Sequence, residues 1–344
     1  MRFDGFGEQP YVTQVPEPRA EPGGVVIEVA ATGVCRSDWH GWQGHDAEIT
    51  TLPHTPGHEF SGVVREVGEG VQRVRVGERV VVPFVCGCGT CEVCRAGQSH
   101  VCPHQWQPGF SGPGSFAELV AVPFADHNAV PLPDDVGDDV AAGLGCRFAT
   151  AYRGVVDVAQ VREGEHVAVF GCGGVGLAAV MIATSLGARV VAVDVSVEAL
   201  ELARSVGAVT GVDASSPVAV DRVRSATEGG AHVSVDALGS IATARDAAQS
   251  LRVHGRHLQI GLLPPVVVLD RATVPMHTVI ARELQVRGSH GMPAHDYPRM
   301  LADIAAGRLD PGRFLARTIS LEEAPNALAG MSRSAVPGVT IIRP

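Results

Sequence analysis

Four cysteines in the run Cys88-x2-Cys91-x2-Cys94-x7-Cys102 are the densest chemistry in this chain. Four thiolates complete the tetrahedral shell of zinc and leave no open position, so the spacing predicts a structural metal site. A redox Cys-x-x-C pair is the rival reading, but consecutive overlapping pairs suit a metal better. Cys86 lies two positions before Cys88, so which of them supplies the first ligand stays open. Of the eight cysteines, Cys35, Cys146 and Cys172 lie elsewhere. Taken singly, each reads as a small buried hydrophobe.

A second pattern binds phosphate. Gly171-Cys-Gly173-Gly174-Val175-Gly176 follows the apolar run His166–Phe170 and opens a small-residue stretch. The first glycine permits a tight turn, the second lets backbone approach a pyrophosphate, and the third lets the helix pack on its sheet. The helix N-terminus then offers free N–H groups and a positive dipole end to the phosphates. Asp194 ends the next apolar run, where a carboxylate accepts hydrogen bonds from ribose hydroxyls. Val195 and Ser196 follow it, with no Arg or Lys to meet a 2′-phosphate. NAD is therefore expected rather than NADP.

These residues need elements to hold them. Up to about residue 150, short β segments such as 24–30 and 79–83 are broken by Gly and Pro, and helical periodicity is scarce. From His166 apolar runs alternate with helical stretches: strands 166–170 and 189–194, helices 175–186 and 197–206, then strands 233–237 and 257–261. Such alternation predicts a parallel sheet with helices on both faces. After about Gly288 it stops, leaving helical stretches near 295–306 and 321–331 and a last strand at 339–342.

The bulk numbers agree. At 344 residues the chain is too long for one core and suits two domains. Hydrophobic residues make up 45% and charged residues 19%, an ordinary balance for a globular enzyme. A formal charge of −10 with no basic patch argues against a nucleic-acid partner, including a zinc-ribbon protein of that kind. No segment reaches the ~18 uninterrupted apolar residues of a membrane span, and no signal peptide is legible, so a cytoplasmic location is expected.

Three further segments make the whole recognisable: Gly33-Val-Cys35-Arg36-Ser37-Asp38-Trp39-His40, Pro56-Gly57-His58-Glu59 and Leu144-Gly-Cys146-Arg-Phe148-Ala-Thr150. With the cysteine-rich lobe and the glycine turn, they resemble the zinc-containing alcohol dehydrogenase family of medium-chain dehydrogenases, in the family's order and over nearly the whole chain. The resemblance implies an α/β protein. A GroES-like, mostly β catalytic domain (1–148 and 289–344) would carry an inserted Rossmann domain, a doubly wound parallel sheet (149–288). It implies two zinc ions per chain. Cys35, His58 and Cys146 would hold a catalytic zinc with an open fourth position, and Cys88, Cys91, Cys94 and Cys102 a structural one.

The same resemblance distributes further roles. Glu59 would sit behind the metal, and Asp38 would orient the histidine ligand. Ser37 would touch the reacting oxygen and His40 would pass its proton outward. Arg36 would meet the pyrophosphate, and Thr150 and Val175 would pack near the nicotinamide. Trp39, Trp106, Phe148 and Leu262 would line the substrate pocket, with ordinary core packing as the rival for each. Ser37 is smaller than the Thr of some relatives, which suits a bulkier or secondary alcohol. One departure stands at Pro337-Gly-Val339, where some members place a second phosphate-binding Arg. The expected partner is a small alcohol, aldehyde or ketone, and the expected assembly a homo-oligomer, tetramer or dimer. Within the superfamily a polyol or sugar dehydrogenase is the nearest alternative, though Cys146 stands where those commonly use Glu. A non-catalytic NAD-binding relative is another, opposed by the full set of zinc residues.

Overall fold

The computed structural model describes residues 1–263, 275–331 and 337–344. Among them the strands are β1 (Val25–Val34), β2 (Phe60–Val67), β3 (Arg79–Val81), β4 (Leu119–Val122), β5 (Val130–Pro131), β6 (His166–Phe170), β7 (Arg189–Asp194), β8 (Thr210–Asp213), β9 (Ala231–Asp236), β10 (Leu251–Gln259), β11 (Gln285–Gly288), β12 (Leu315–Ser320) and β13 (Val339–Arg343). The chain forms two compact units, Met1–Ala149 with Gly291–Pro344, and Thr150–His290.

The first unit is built on a seven-stranded mixed sheet in the order β12-β13-β1-β2-β3-β5, with β4 also paired to β1. Strand β1 is its spine, antiparallel to β13, β2 and β4. Its pairing with β2 slips at two places, between Val26 and Ile27 and between Val29 and Ala31. Such irregularities bend a strand and raise its twist, which lets a short sheet curl round its own core. Val25, Ile27, Val29, Phe60, Val64, Val80 and Val120 fill that core. A second cluster, including Phe3, Val34, Trp42, Phe116 and Ile342, lies beyond the end of β1. It buries the stretch that leads into Cys35.

The second unit carries six parallel strands in the order β11-β10-β9-β6-β7-β8. The order reverses between β6 and β9, which are neighbours in the sheet but far apart in sequence. At such a switch point the chain leaves the two strand ends in opposite directions and opens a crevice there. All five residues of β6 are buried. The helix that follows, Gly174–Ser185, is apolar on every side and buried from Gly176 to Ala183, as a helix sandwiched in a core must be.

Two expectations shift. The helix expected near 321–331 runs only over Ala324–Gly330. Pro325 lacks an N–H and is tolerated only in the first helical turn, so the helix starts beside it. The strand expected at 257–261 begins earlier, at Leu251. The first unit also holds more helix than its periodicity suggested, including Arg36–Trp42, Asp138–Ala142 and a widened π-turn at Leu144–Phe148.

Candidate functional site

The cysteine lobe is organised by a single short helix. Cys91 caps Glu92–Arg95, its sulfur accepting the N–H of Cys94 at 3.4 Å. The Sγ atoms of Cys88, Cys91, Cys94 and Cys102 all lie within 4.8 Å of one another. Three of the sulfur–sulfur separations are 4.0, 3.7 and 3.6 Å. A tetrahedron with metal–sulfur bonds of about 2.3 Å has edges of about 3.8 Å, so the lobe has the dimensions of a zinc cage. Hydrogen bonds from Thr90 draw the Cys88 thiol down to about 6, whereas burial pushes Cys94 up to about 12. Cys86 is outside the group. It is fully buried, donates to the Pro83 carbonyl at 3.5 Å, and burial alone drives its thiol far above the usual value. Cys88 is therefore the sulfur that completes the four.

Cys35, His58 and Cys146 also converge, with donor atoms within 4.8 Å of one another. Each comes from a different element. Cys35 caps the helix Arg36–Trp42, His58 precedes β2, and Cys146 stands in the π-turn. One carboxylate ties the first two together. Asp38, 1% exposed, accepts from the Cys35 N–H at 2.9 Å through Oδ2, and from the Gly57 N–H at 3.1 Å and His58 Nδ1 at 2.7 Å through Oδ1. A carboxylate can only accept here, so Nδ1 carries a proton and Nε2 is the nitrogen left to bind a metal once it is deprotonated. That Nε2 is buried without a hydrogen-bond partner among the described residues. An orphaned imidazole nitrogen between two thiols is the donor set of an open zinc site.

The electrostatics of the trio are strongly coupled. A hydrogen bond from Cys146 draws Cys35 well below the ordinary thiol value against its burial, and the same bond pushes Cys146 well above. Burial pulls His58 down, but Asp38 and Cys35 outweigh it and the ring stands well above its usual value. Burial raises Glu59 to about 7, with Arg147 opposing. Phe110 and Phe84 close over the His58 ring at centroid distances of 5.1 and 6.1 Å.

Around the trio the expected residues fall as follows. Ser37 Oγ lies 3.9 Å from the Cys35 sulfur. His40 Nδ1 meets His45 Nδ1 at 3.0 Å, and burial is the largest of the effects that lower His40. His45 was not anticipated. Trp39 lies under the Arg36 guanidinium at 4.6 Å and edge-on to both histidines, and Arg36 also donates to the Met331 carbonyl at 2.7 Å. Trp106 exchanges backbone hydrogen bonds with Cys86 and packs on the β core. Phe148 is 1% exposed and stacks on Phe314, inside the first unit. Two buried residues near the trio were also missed. Arg147 is ion-paired with Glu59, and Tyr297 donates to the Leu144 and Gly145 carbonyls at 3.3 and 3.1 Å, beneath the π-turn.

In the second unit the glycine turn closes at the end of β6. Gly171 has φ +89°, and a Cβ on Gly176 would lie 1.8 Å from the Gly171 carbonyl oxygen. Gly173 is exposed, and a Cβ there would meet nothing within 4 Å, which leaves room for a ligand against the backbone. Gly174 and Val175 begin the helix and are half-buried. Asp194 braces the turn: Oδ2 accepts from the Cys172 N–H at 2.6 Å and Oδ1 from the Ser196 N–H at 2.9 Å. Its remaining lone pairs are what a ribose would use. Across the switch point Asp236, fully buried, gathers the Leu238 and Gly239 N–H groups at 2.9 and 3.0 Å. The sequence signal for it was an acid closing the predicted strand segment Val-Ser-Val at 233–235. Thr150 is 6% exposed with its hydroxyl unpartnered among the described residues, and Leu262 is 68% exposed.

Comparison with known proteins agrees with these features. Residues 21–134 match the family described as the alcohol dehydrogenase GroES-like domain, and residues 174–306 that described as zinc-binding dehydrogenase. An alcohol dehydrogenase of Geobacillus stearothermophilus is 32% identical over 333 residues, covering 96% of this chain and 95% of its own length. An L-threonine 3-dehydrogenase of Rhizobium johnstonii is 33% identical over 319 residues, covering 91% of this chain and 89% of its own. The solved structure of an alcohol dehydrogenase from Thermus sp. ATN1 superposes with a TM-score of 0.89 at 34% identity, covering 100% of this chain and 99% of its own.

Proposed function

This chain belongs to the zinc-containing medium-chain dehydrogenase family, and from that premise we propose that it is a zinc-dependent alcohol dehydrogenase using NAD. It would move a hydride reversibly between a primary or secondary alcohol and the nicotinamide. The observation that carries this reading is the unpartnered, buried His58 Nε2 beside the Cys35 and Cys146 sulfurs, with Asp38 fixing its tautomer.

Cys35, His58 and Cys146 would hold the catalytic zinc and leave a fourth position open to substrate. Zinc so held supplies Lewis acidity that lets an alcohol oxygen lose its proton near neutral pH. Asp38 keeps Nδ1 protonated and so keeps the Nε2 lone pair directed at the metal. Ser37 would accept the substrate proton while releasing its own hydroxyl proton, and His40, paired with His45, would pass a proton on toward solvent. An imidazole suits that task because its usual value lies near 6.5. The N–H groups after Gly173 would receive the pyrophosphate, Asp194 the ribose hydroxyls, and Thr150 and Val175 would pack beside the nicotinamide; the family resemblance gives Arg36 a pyrophosphate role as well. Trp39 and Phe110 dry the substrate side. Leu262 and Phe148 are weaker candidates for its wall, since one is largely exposed and the other stacks on Phe314. The four cysteines of the lobe would hold a second, structural zinc. Assembly as a homotetramer or dimer and a cytoplasmic location complete the proposal. No described helix is long and apolar enough to cross a membrane.

The relatives' names include L-threonine 3-dehydrogenases, so a hydroxyl on an amino acid or polyol is the second substrate reading. The zinc-loaded chain should be assayed with simple primary and secondary alcohols, L-threonine and polyols, each with NAD and NADP. Highest kcat/KM for a simple alcohol with NAD supports the proposal. Highest kcat/KM with threonine, a polyol or NADP replaces the corresponding part of it.

A further inference from the structure

Arg147 sits directly after one candidate ligand and is 7% exposed. A buried guanidinium is costly unless charge and hydrogen bonds meet it, so where it points is informative. Its main-chain N–H donates to Glu59 Oε1 at 2.6 Å, and its guanidinium pairs with Glu59 Oε2. The other guanidinium nitrogen donates to the Val34 carbonyl at 3.0 Å, one residue before Cys35. Arg147 thus joins the three segments that carry Cys35, His58 and Cys146. The chain makes room for it: a Cβ on Gly33 would lie 2.6 Å from Arg147 Nη2 and 3.0 Å from Glu59 Oε2.

Glu59 is the residue that needs holding. It follows His58, is fully buried, and its carboxylate is a competent zinc ligand. Yet no Glu59 oxygen lies within 4.8 Å of all three donors, and both oxygens contact Arg147. Two thiolates and the Asp38 and Glu59 carboxylates exceed a divalent metal by two negative charges. Arg147 supplies one positive charge against that excess.

We propose that Arg147 is a positioning residue that clamps both oxygens of Glu59 and so keeps that carboxylate from filling the fourth metal position reserved for substrate. The proposal rests on the zinc reading of Cys35, His58 and Cys146. Without the clamp, a buried anion beside an open divalent site gains most by ligating it. The centre would keep its metal and lose its vacancy.

Cobalt(II) in that position, with zinc retained in the cysteine lobe, reports the identity and geometry of its ligands through its ligand-field bands. The unaltered chain is measured first. If it takes up no cobalt there, or if Cys146→Ser leaves the bands unchanged, the zinc reading itself fails. Arg147→Met should keep the metal, show shifted bands as a carboxylate takes the fourth position from solvent, and lose about 10- to 100-fold in kcat. Arg147→Met with Glu59→Gln should restore the bands and recover most of that loss. Arg147→Met with unchanged bands, or a double variant no better than the single, overturns the proposal. If Arg147→Met does not fold, Arg147→Lys keeps the charge without the planar fork. A partial band shift there, reversed by Glu59→Gln, supports the proposal, and unaltered bands overturn it.

Discussion

Asp38→Asn isolates what the buried carboxylate does for the metal site. Asp38 Oδ1 serves His58 Nδ1 and the Gly57 N–H, while Oδ2 serves the Cys35 N–H alone. Asparagine has one acceptor oxygen and one donor NH2. It keeps most by placing its oxygen where Oδ1 stands, which preserves two contacts and turns an NH2 against the Cys35 N–H. The Cys35 N–H and the new NH2 then both go unmet, at about 1–3 kcal/mol each. The strain falls on the Cys35 loop rather than on the histidine tautomer. Altering a residue that supports a ligand in this way lowers metal affinity by about 10–100-fold, or about 1.4–2.8 kcal/mol, so part of the strain reaches the metal and the rest falls on the fold. Asp38→Ala is far harsher. It strands all three donors at about 3–9 kcal/mol in total, comparable with the whole stability of a domain, so loss of fold would mask the metal effect. The assay is chelator competition on Asp38→Asn, following the zinc that the cysteine lobe does not hold. Affinity within threefold of the unaltered chain would refute the reasoning, as would equal weakening of both zinc ions.

The two metal sites should respond differently to ligand loss. Elemental analysis should give two zinc ions per chain, and Cys146→Ala should leave one with the fold intact and activity near background. Cys94→Ala should instead lower the melting temperature with or before activity, since binding in a closed cage is coupled to folding; the reverse pattern would mean the sites are exchanged. Asp194→Ala should raise the NADP to NAD ratio of kcat/KM without removing metal, and an unchanged ratio would strip Asp194 of its ribose role. His257 Nε2 donates to Gln259 Oε1 at 3.1 Å and Nδ1 meets Ser234 Oγ at 3.0 Å, and burial holds it below the usual histidine value with Gln259 opposing. The unfolded chain then binds the extra proton first, so this contribution to stability is intact above about 6.5 and lost as the pH falls below it. Thermal unfolding between pH 7.5 and 5.5 should show a shallower loss in His257→Gln, and parallel curves would sink the assignment.

Legibility in the sequence followed distance along the chain. The cysteine lobe could be read from spacing because its ligands span only 14 positions, and one loop can bring them together. The glycine turn could be read because each glycine answers a local steric demand, as the 1.8 Å approach at Gly176 shows. The Cys35, His58 and Cys146 set could not be assembled from spacing. It needed the curl of the first sheet and a resemblance to a known family to suggest it. The π-turn that presents Cys146 left no trace in the periodicity, since it inserts into a helical run without changing which residues are apolar.

Arg147 is the instructive omission, because a physical signal for it is present in the chain. It interrupts the otherwise apolar run Leu144-Gly-Cys-Arg-Phe-Ala149, and Glu59 stands between His58 and the head of a buried strand. A charge inside a segment that must be buried requires an opposite charge nearby. Two such segments with one basic and one acidic intruder are each other's natural partner, although 88 positions separate these two. Family resemblance alone puts Glu59 behind the metal. Pairing the two intruders supplies the physical reason, and it brings Cys146, through its neighbour Arg147, beside His58 on charge and burial alone.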